Sequence, residues 1–319
     1  MTFVRTVLGD IDVASLGPTY AHEHLVIDGG RPVELDAEFD LSDVPSMAAE
    51  VESAMAVGLR SVVDAMPCDA GRNPTKLADL SRRTGLHIVA PTGLHHERYY
   101  GVAHWSGRIG VDELAALFLA DITDGIDAND YSGPVIHRTP YRAGVIKIAG
   151  SDGGPSPRDR FVFEAAAQAQ RKTGAPILTH CEAGTGALDQ IRLLTDFDVP
   201  AARIILSHID KVVDREYHRE IVGTGAFVEY DQAFRWGDEP NGTIQLIRWL
   251  IDDGLARGIV LGNDAARRRY YGVFGGAPGL AWLLDVFPGL VEPDDPGRVR
   301  QQFFVDNPGR AFAFSEVIG

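Results

Sequence analysis

Apolar and polar positions alternate between two periods along almost the whole chain. Short runs rich in Val, Ile, Leu and Ala recur at residues 19–25, 59–66, 87–93, 145–149, 176–180, 203–208, 226–230 and 258–261. Runs of that length, apolar on both faces, predict buried strands. Between them the pattern changes to that of amphipathic helices, at 43–57, 74–84, 112–121, 158–173, 185–197, 214–223 and 243–255, with 279–287 and 298–312 after the last strand. Gly58, Gly85 and Gly174 stand where three of these helices should stop, the place where a left-handed cap favours glycine. Eight apolar strands alternating with helices predict an α/β chain closed into a distorted (β/α)8 TIM barrel. An open doubly wound sheet competes, but no Gly-x-Gly-x-x-Gly opens any of the helices. Residues 6–13 predict a short N-terminal β-hairpin around Gly9-Asp10, a lid under the barrel. Residues 94–110 are read as the longest irregular section, a loop on the face where barrel enzymes build their sites. Nothing divides the chain, so residues 1–319 are expected to be one domain.

Composition narrows the partners. With 319 residues, 45% of them hydrophobic, the chain can bury a large core. Its net charge of −15 argues against nucleic acid and against an anionic membrane surface. Two cysteines, Cys68 and Cys181, are too few for a disulfide framework and suit a reduced compartment. No apolar run approaches the ~20 residues that span a bilayer. No signal-like segment opens the chain. A cytoplasmic location is expected.

Lys147 breaks the pattern. It stands in the middle of Ala143-Gly-Val-Ile-Lys-Ile-Ala-Gly150, an otherwise apolar strand, and a lysine is almost never fully buried unless paired or chemically altered. His22 and His24 lie two apart on the first strand, so both rings project to one face. His180, His208 and Asp264 each stand at the C-terminal end of a predicted strand, the edge where barrel sites are built. Singly, each is compatible with a hydrogen-bonded core or strand-end group. Together, imidazoles and a carboxylate on one edge suit zinc, manganese or iron. A lysine amine that loses its proton near metals and adds CO2 becomes a carbamate, whose two anionic oxygens can bridge two cations. Desolvation favours that, because a buried lysine loses its proton readily. A buried carboxylate paired with Lys147 is the simpler alternative.

Five segments carry a resemblance: Gly17-Pro-Thr-Tyr-Ala-His-Glu-His-Leu25, Val145-Ile-Lys-Ile-Ala149, Thr179-His-Cys-Glu-Ala-Gly-Thr185, Leu206-Ser-His-Ile-Asp210 and Gly262-Asn-Asp264. In this order they resemble the metal-ligand signatures of the phosphotriesterase family of the amidohydrolase superfamily, in its phosphotriesterase-like lactonase branch. The likeness runs through essentially the whole chain, including Asp306-Asn-Pro-Gly-Arg-Ala-Phe312. It implies two divalent metal ions, zinc first, with manganese, cobalt or iron as alternatives. His22, His24 and Asp264 would hold the buried ion and His180 and His208 the exposed one, with N6-carboxylated Lys147 between them. A hydroxide shared by the ions would attack the substrate, and Asp264 would take its proton.

The substrate is read from the loops. Asp264 is followed by Ala-Ala-Arg-Arg-Arg-Tyr-Tyr. Arg267 and Tyr270, three apart, share a face if a helical turn begins there. An arginine fork with a phenol suits phosphate or carboxylate. With Arg235 this resembles the subgroup that hydrolyses phosphorylated sugar lactones, where lysine tends to occupy the place of Arg235. The loop at 94–110 adds Tyr99 among His95, His96, Glu97 and Arg98, a polar set. The expected activity is a metal-dependent lactonase acting on a small anionic lactone, and a homodimer is compatible with it. Two alternatives stand beside it. One is a lactonase or esterase of apolar lactones with phosphotriesterase side activity, and the other a catalytically silent ligand-binding barrel.

Overall fold

The computed structural model describes residues 2–237 and 240–315. A hairpin of β1 (Phe3–Thr6) and β2 (Gly9–Asp12) precedes the parallel strands β3 (Thr19–Glu23), β4 (Ser61–Asp64), β5 (His87–Val89), β6 (Pro91–Thr92), β7 (Val145–Gly150), β8 (Ile177–Cys181), β9 (Ile204–Ser207), β10 (Phe227–Tyr230) and β11 (Ile259–Leu261). All eight predicted runs therefore contain strands. The run at 87–93 is split at Ala90, just before Pro91, which has no amide to give to a ladder. Its first half pairs with β4 and its second with β7, so β5 and β6 together form one stave.

Closure is visible in the interior. Ala21, Val63, Val89, Val145, Leu178, Ile205, Phe227 and Val260, one from each stave, pack in a single buried cluster. Val4 of the hairpin and Phe312 near the C-terminus belong to the same cluster and close it from below. Between β11 and β3 the ring is joined by the Asp264 N–H donating to the His22 carbonyl at 3.0 Å. Gly262 permits this approach, because a Cβ there would lie 2.6 Å from the His22 carbonyl oxygen. Side chains alternate along a strand, so the residues two above this layer also face inward. Among them are Lys147, His180, Ser207 and Glu229, in the polar upper half of the barrel.

Around the barrel lie α1 (Gly30–Leu35), α2 (Val44–Ala56), α3 (Pro74–Thr84), α4 (Val111–Thr123), α5 (Pro157–Thr173), α6 (Ala187–Asp196), α7 (Arg215–Gly223) and α8 (Gly242–Asp252). The caps explain their ends. Ser156 and Asp159 bond reciprocally at the start of α5, and Gly85 and Gly174 adopt the left-handed conformation after α3 and α5. The expected helix at 279–287 is instead α9 (Trp282–Asp285) and α10 (Phe287–Val291), with Pro288 opening the second. The one expected at 298–312 is α11 (Pro296–Arg300), a wide turn at Gln301–Asp306 and α12 (Asn307–Ala311). Pro308 removes a helical donor there.

Two further expectations are corrected. The hairpin turns at Val7-Leu8, with Gly9 already paired to Thr6, because buried Val7 donates to the Ile88 carbonyl at 2.7 Å and hooks the tip onto the barrel. The longest irregular stretch is 124–144 rather than 94–110, which contains two short 3-10 turns. Polar anchors hold that stretch. Asp130 meets buried Arg72 at 2.7 Å, and Asp127 accepts from the Tyr131 amide at 2.9 Å. No helix among the described residues is long and apolar enough to cross a membrane.

Candidate metal centre and the cavity above it

Lys147 sits at mid-strand in β7 with 1% of its surface exposed. Its Nζ donates only to Ser207 Oγ, a long 3.4 Å, among the described residues. Burial pulls the amine down to about 8 against the opposing pull of Glu229, Asp264 and Asp231. A substantial fraction is then neutral at mildly alkaline pH, the form that adds CO2. His22 lies in β3 and His24 one residue beyond it, with ring centroids 5.5 Å apart. Their Nε2 atoms are 3.4 and 3.2 Å from the same oxygen, Asp264 Oδ1. His180 ends β8 and His208 follows β9, with rings 4.5 Å apart, and His208 is 4.9 Å from His22. All six groups border one cavity.

Burial is the first cause that drives His22 and His180 well below the ordinary imidazole range and lowers His208. Burial alone would raise Asp264, but the His24 contact and the His22, His208 and Arg235 charges hold it well below the usual carboxylate range. Neutral imidazoles thus face an ionised carboxylate, Asp231 Oδ2 meets His208 Nδ1, and two buried atoms around them, His24 Nδ1 and Glu229 Oε1, have no hydrogen-bond partner among the described residues. Such orphans are rare in proteins. His22, His24 and Asp264 bring one ligand atom each within 4.8 Å of one another, and so do His22, His208, Glu229 and Asp231. This nitrogen and oxygen set fits a divalent cation. His96, His180 and Glu182 form a third such group. There the Arg98 guanidinium is 3.1 Å from Glu182 Oε2 and opposes a cation.

The strand ends are bent to aim these groups. His208 and Asp264 both have positive φ, 67° and 47°, an uncommon conformation outside glycine that clusters at functional sites. Fully buried Glu23 accepts from the amides of Asn263 (2.8 Å) and Ala265 (3.3 Å), fixing the backbone on both sides of Asp264. Asp64 accepts from the Leu25 and Met66 amides and so fixes the exit of β3.

The four residues expected to bind substrate separate. Arg267 and Tyr99 border the cavity; Arg235 and Tyr270 do not. Arg267 is extended, φ −135°, and the 3-10 turn Arg268–Tyr270 starts after it, so the expected common face is not formed. Its guanidinium lies over Phe39 at 4.3 Å and 3.2 Å from Asp36. Arg235 donates to the carbonyls of Asp231, Asn263 and Asp264, which makes it a brace for the Asp264 loop. Tyr270 packs edge-on against Phe234 at 5.2 Å.

The profile of the phosphotriesterase family matches residues 2–312. The chain belongs to the phosphotriesterase family. It is 32% identical to a phospho-furanose lactonase of Mycoplasmopsis synoviae over 328 aligned residues, covering 98% of this chain and 92% of that protein. An amidohydrolase from Mycoplasma synoviae superposes with a TM-score of 0.92 at 31% identity, over 99% of this chain and 93% of the other. A lactonase from Listeria monocytogenes superposes with a TM-score of 0.89 at 29% identity, over 98% and 100%. In this phosphotriesterase-family chain, sequence reasoning missed Lys211, which borders the cavity from the turn after His208, and the inward carboxylates Glu229 and Asp231. Glu229 carries the same signal as Lys147, a charge inside an apolar strand. Lys211 carries no such signal, since its place at the cavity follows from the turn.

Proposed function

We propose that the chain is a metal-dependent lactonase that opens a small lactone bearing a phosphate or another anionic group. The observation that carries this reading is the convergence of His22, His24, His180, His208, Asp264 and a nearly unpartnered buried Lys147 on one cavity. His22, His24 and Asp264 would hold one divalent ion, zinc first, and His180 and His208 a second. Lys147 as a carbamate would lie between them. Bound there, the two ions supply a water ionised near neutral pH and polarise the carbonyl under attack. Asp264, kept anionic by its neighbours, would accept a proton from the attacking water at its carboxylate and return it to the ring oxygen as the ester bond breaks. Arg235 keeps Asp264 in place through its backbone carbonyl, 2.8 Å away. Arg267 and Lys211, both at the cavity, offer cationic partners for the substrate's anion.

The Mycoplasmopsis synoviae relative, a phospho-furanose lactonase, supports a phosphorylated sugar lactone. Hydrolysis rates of matched sugar lactones with and without phosphate decide it. The phosphorylated substrate should have a kcat/KM at least about tenfold higher, and Arg267→Ala should remove about 1–3 kcal/mol of that preference. Equal rates for the pair would sink the anion pocket. A second reading, a lactonase of apolar lactones with phosphotriester side activity, is favoured by Pro32, Phe39, Met66 and Ala266 on the cavity wall. It predicts faster turnover of alkyl-substituted lactones. Turnover of neither class would leave a silent ligand-binding barrel.

A further inference from the structure

Behind the six groups lies a carboxylate aimed at one of them. Glu229, fully buried in β10, stands two residues above Phe227 of the barrel's interior layer. Its Oε2 is 3.2 Å from His22 Nδ1. On the far side of the same ring, His22 Nε2 is 3.4 Å from Asp264 Oδ1. A neutral imidazole carries one N–H. With the proton on Nδ1, the ring donates to Glu229 and turns the Nε2 lone pair toward Asp264. With the proton on Nε2, two buried acceptors face each other across 3.2 Å. With Glu229 ionised the first tautomer is free of that conflict, and it leaves a lone pair and a carboxylate oxygen facing the same point, which suits a cation.

We propose that Glu229 is a positioning residue for the buried metal ion: it fixes the tautomer and ring orientation of His22. The proposal rests on the two-metal reading above. Its effect should be confined to one ion. Asp231 Oδ2 lies 3.9 Å from His22 Nδ1 and is turned to His208 instead. His24 Nδ1 is buried without a hydrogen-bond partner among the described residues. His180 is served by a separate carboxylate, Glu182, at 2.9 Å.

The test uses zinc alone as probe. Wild type, Glu229→Gln and Glu229→Met are stripped with a chelator and titrated with zinc against a chromophoric competitor, and the metal-free proteins are melted. Glu229→Met should weaken one of two zinc ions by about tenfold to a hundredfold and leave the other within about threefold. Glu229→Gln, which keeps an acceptor but no charge, should fall between. Metal-free melting temperatures should match wild type. Unchanged zinc affinities in both variants overturn the proposal, and so does equal weakening of both ions with a lower metal-free melting temperature. If Glu229→Met fails to fold, the selective loss in Glu229→Gln decides. Wild type that binds no zinc overturns the two-metal reading and this proposal together, whereas wild type binding two ions with unaffected variants overturns this proposal alone.

Discussion

At the scale of the residue, burial decides protonation. Lys147 is enclosed in a barrel where its only hydrogen-bond partner among the described residues is a serine 3.4 Å away, an environment poor for an ammonium and suited to a neutral amine. Lys147→Ala should therefore lower bound zinc from two ions to at most one per chain and reduce turnover by roughly a hundredfold or more, since the ligand and its charge are both lost. Added acetate or propionate should restore part of the rate by standing in for the missing carboxylate. Unchanged zinc content, measured by elemental analysis of protein purified without chelator, would remove Lys147 from the site. The lysine was legible because a cation in an apolar strand is conspicuous. Glu229 was equally conspicuous in Phe-Val-Glu-Tyr, but with nothing in sequence to say what it faces, a carboxylate there reads as a structural group.

Elements set direction. The short turn from Gly262 to Ala265 places Asp264 because Glu23, a neighbour of both first-strand histidines, accepts its two flanking amides. Burial pushes the Glu23 carboxyl up to about 8 against those amide bonds. Replacing it by alanine leaves both amides without that partner in a buried place, so Glu23→Ala should cost about 2–5 kcal/mol of stability and weaken metal binding as well. Denaturant unfolding and zinc titration of the one variant check both; a loss of neither refutes the brace. In α7, His218 is held neutral between Tyr230 Oη (2.6 Å) and the Val212 carbonyl (2.8 Å), and burial lowers it to about 4. Its folded value lies below the unfolded value of about 6.5, so its contribution is present above pH 6.5 and is lost as pH falls toward 4. That loss amounts to up to about 3 kcal/mol. His218→Gln should flatten this part of the stability-versus-pH curve, measured by urea unfolding between pH 7 and 4.5.

For the whole molecule, closure is what brings the parts together. The hairpin and the C-terminal segment plug the lower end with Val4 and Phe312, while the polar upper half opens into the cavity. Phe312→Ala removes a fully buried ring from that plug and should cost about 3–5 kcal/mol. Because the plug lies at the opposite end from the cavity, kcat/KM of the folded protein should stay close to wild type. A large fall in kcat/KM without loss of stability would contradict this separation of the two ends. The anion pocket is also a property of the whole. Arg267 reaches the cavity from the loop after β11 and Lys211 from the turn after β9, whereas Arg235 and Tyr270, equally plausible by spacing, are drawn into bracing and ring packing.

The sequence by itself determined the alternation of strands and helices, the number of staves and the polar residues that gather at one end of the barrel. Each of those is encoded in local periodicity and in the position of a polar group at the end of an apolar run. Helix caps were legible for the same reason, since glycine or serine acts within a few residues. Only the tertiary structure decided which polar groups meet. The split at Ala90, the turn at Val7-Leu8, the pairing of Glu229 with His22 and the diversion of Arg235 to backbone carbonyls all depend on partners on other elements or on a backbone bend that hydrophobic periodicity does not encode. Long-range hydrogen bonds and the pressure to satisfy buried polar atoms set those choices. That is why the candidate metal ligands could be picked out from the chain, while their partners and the residues at the cavity needed the fold.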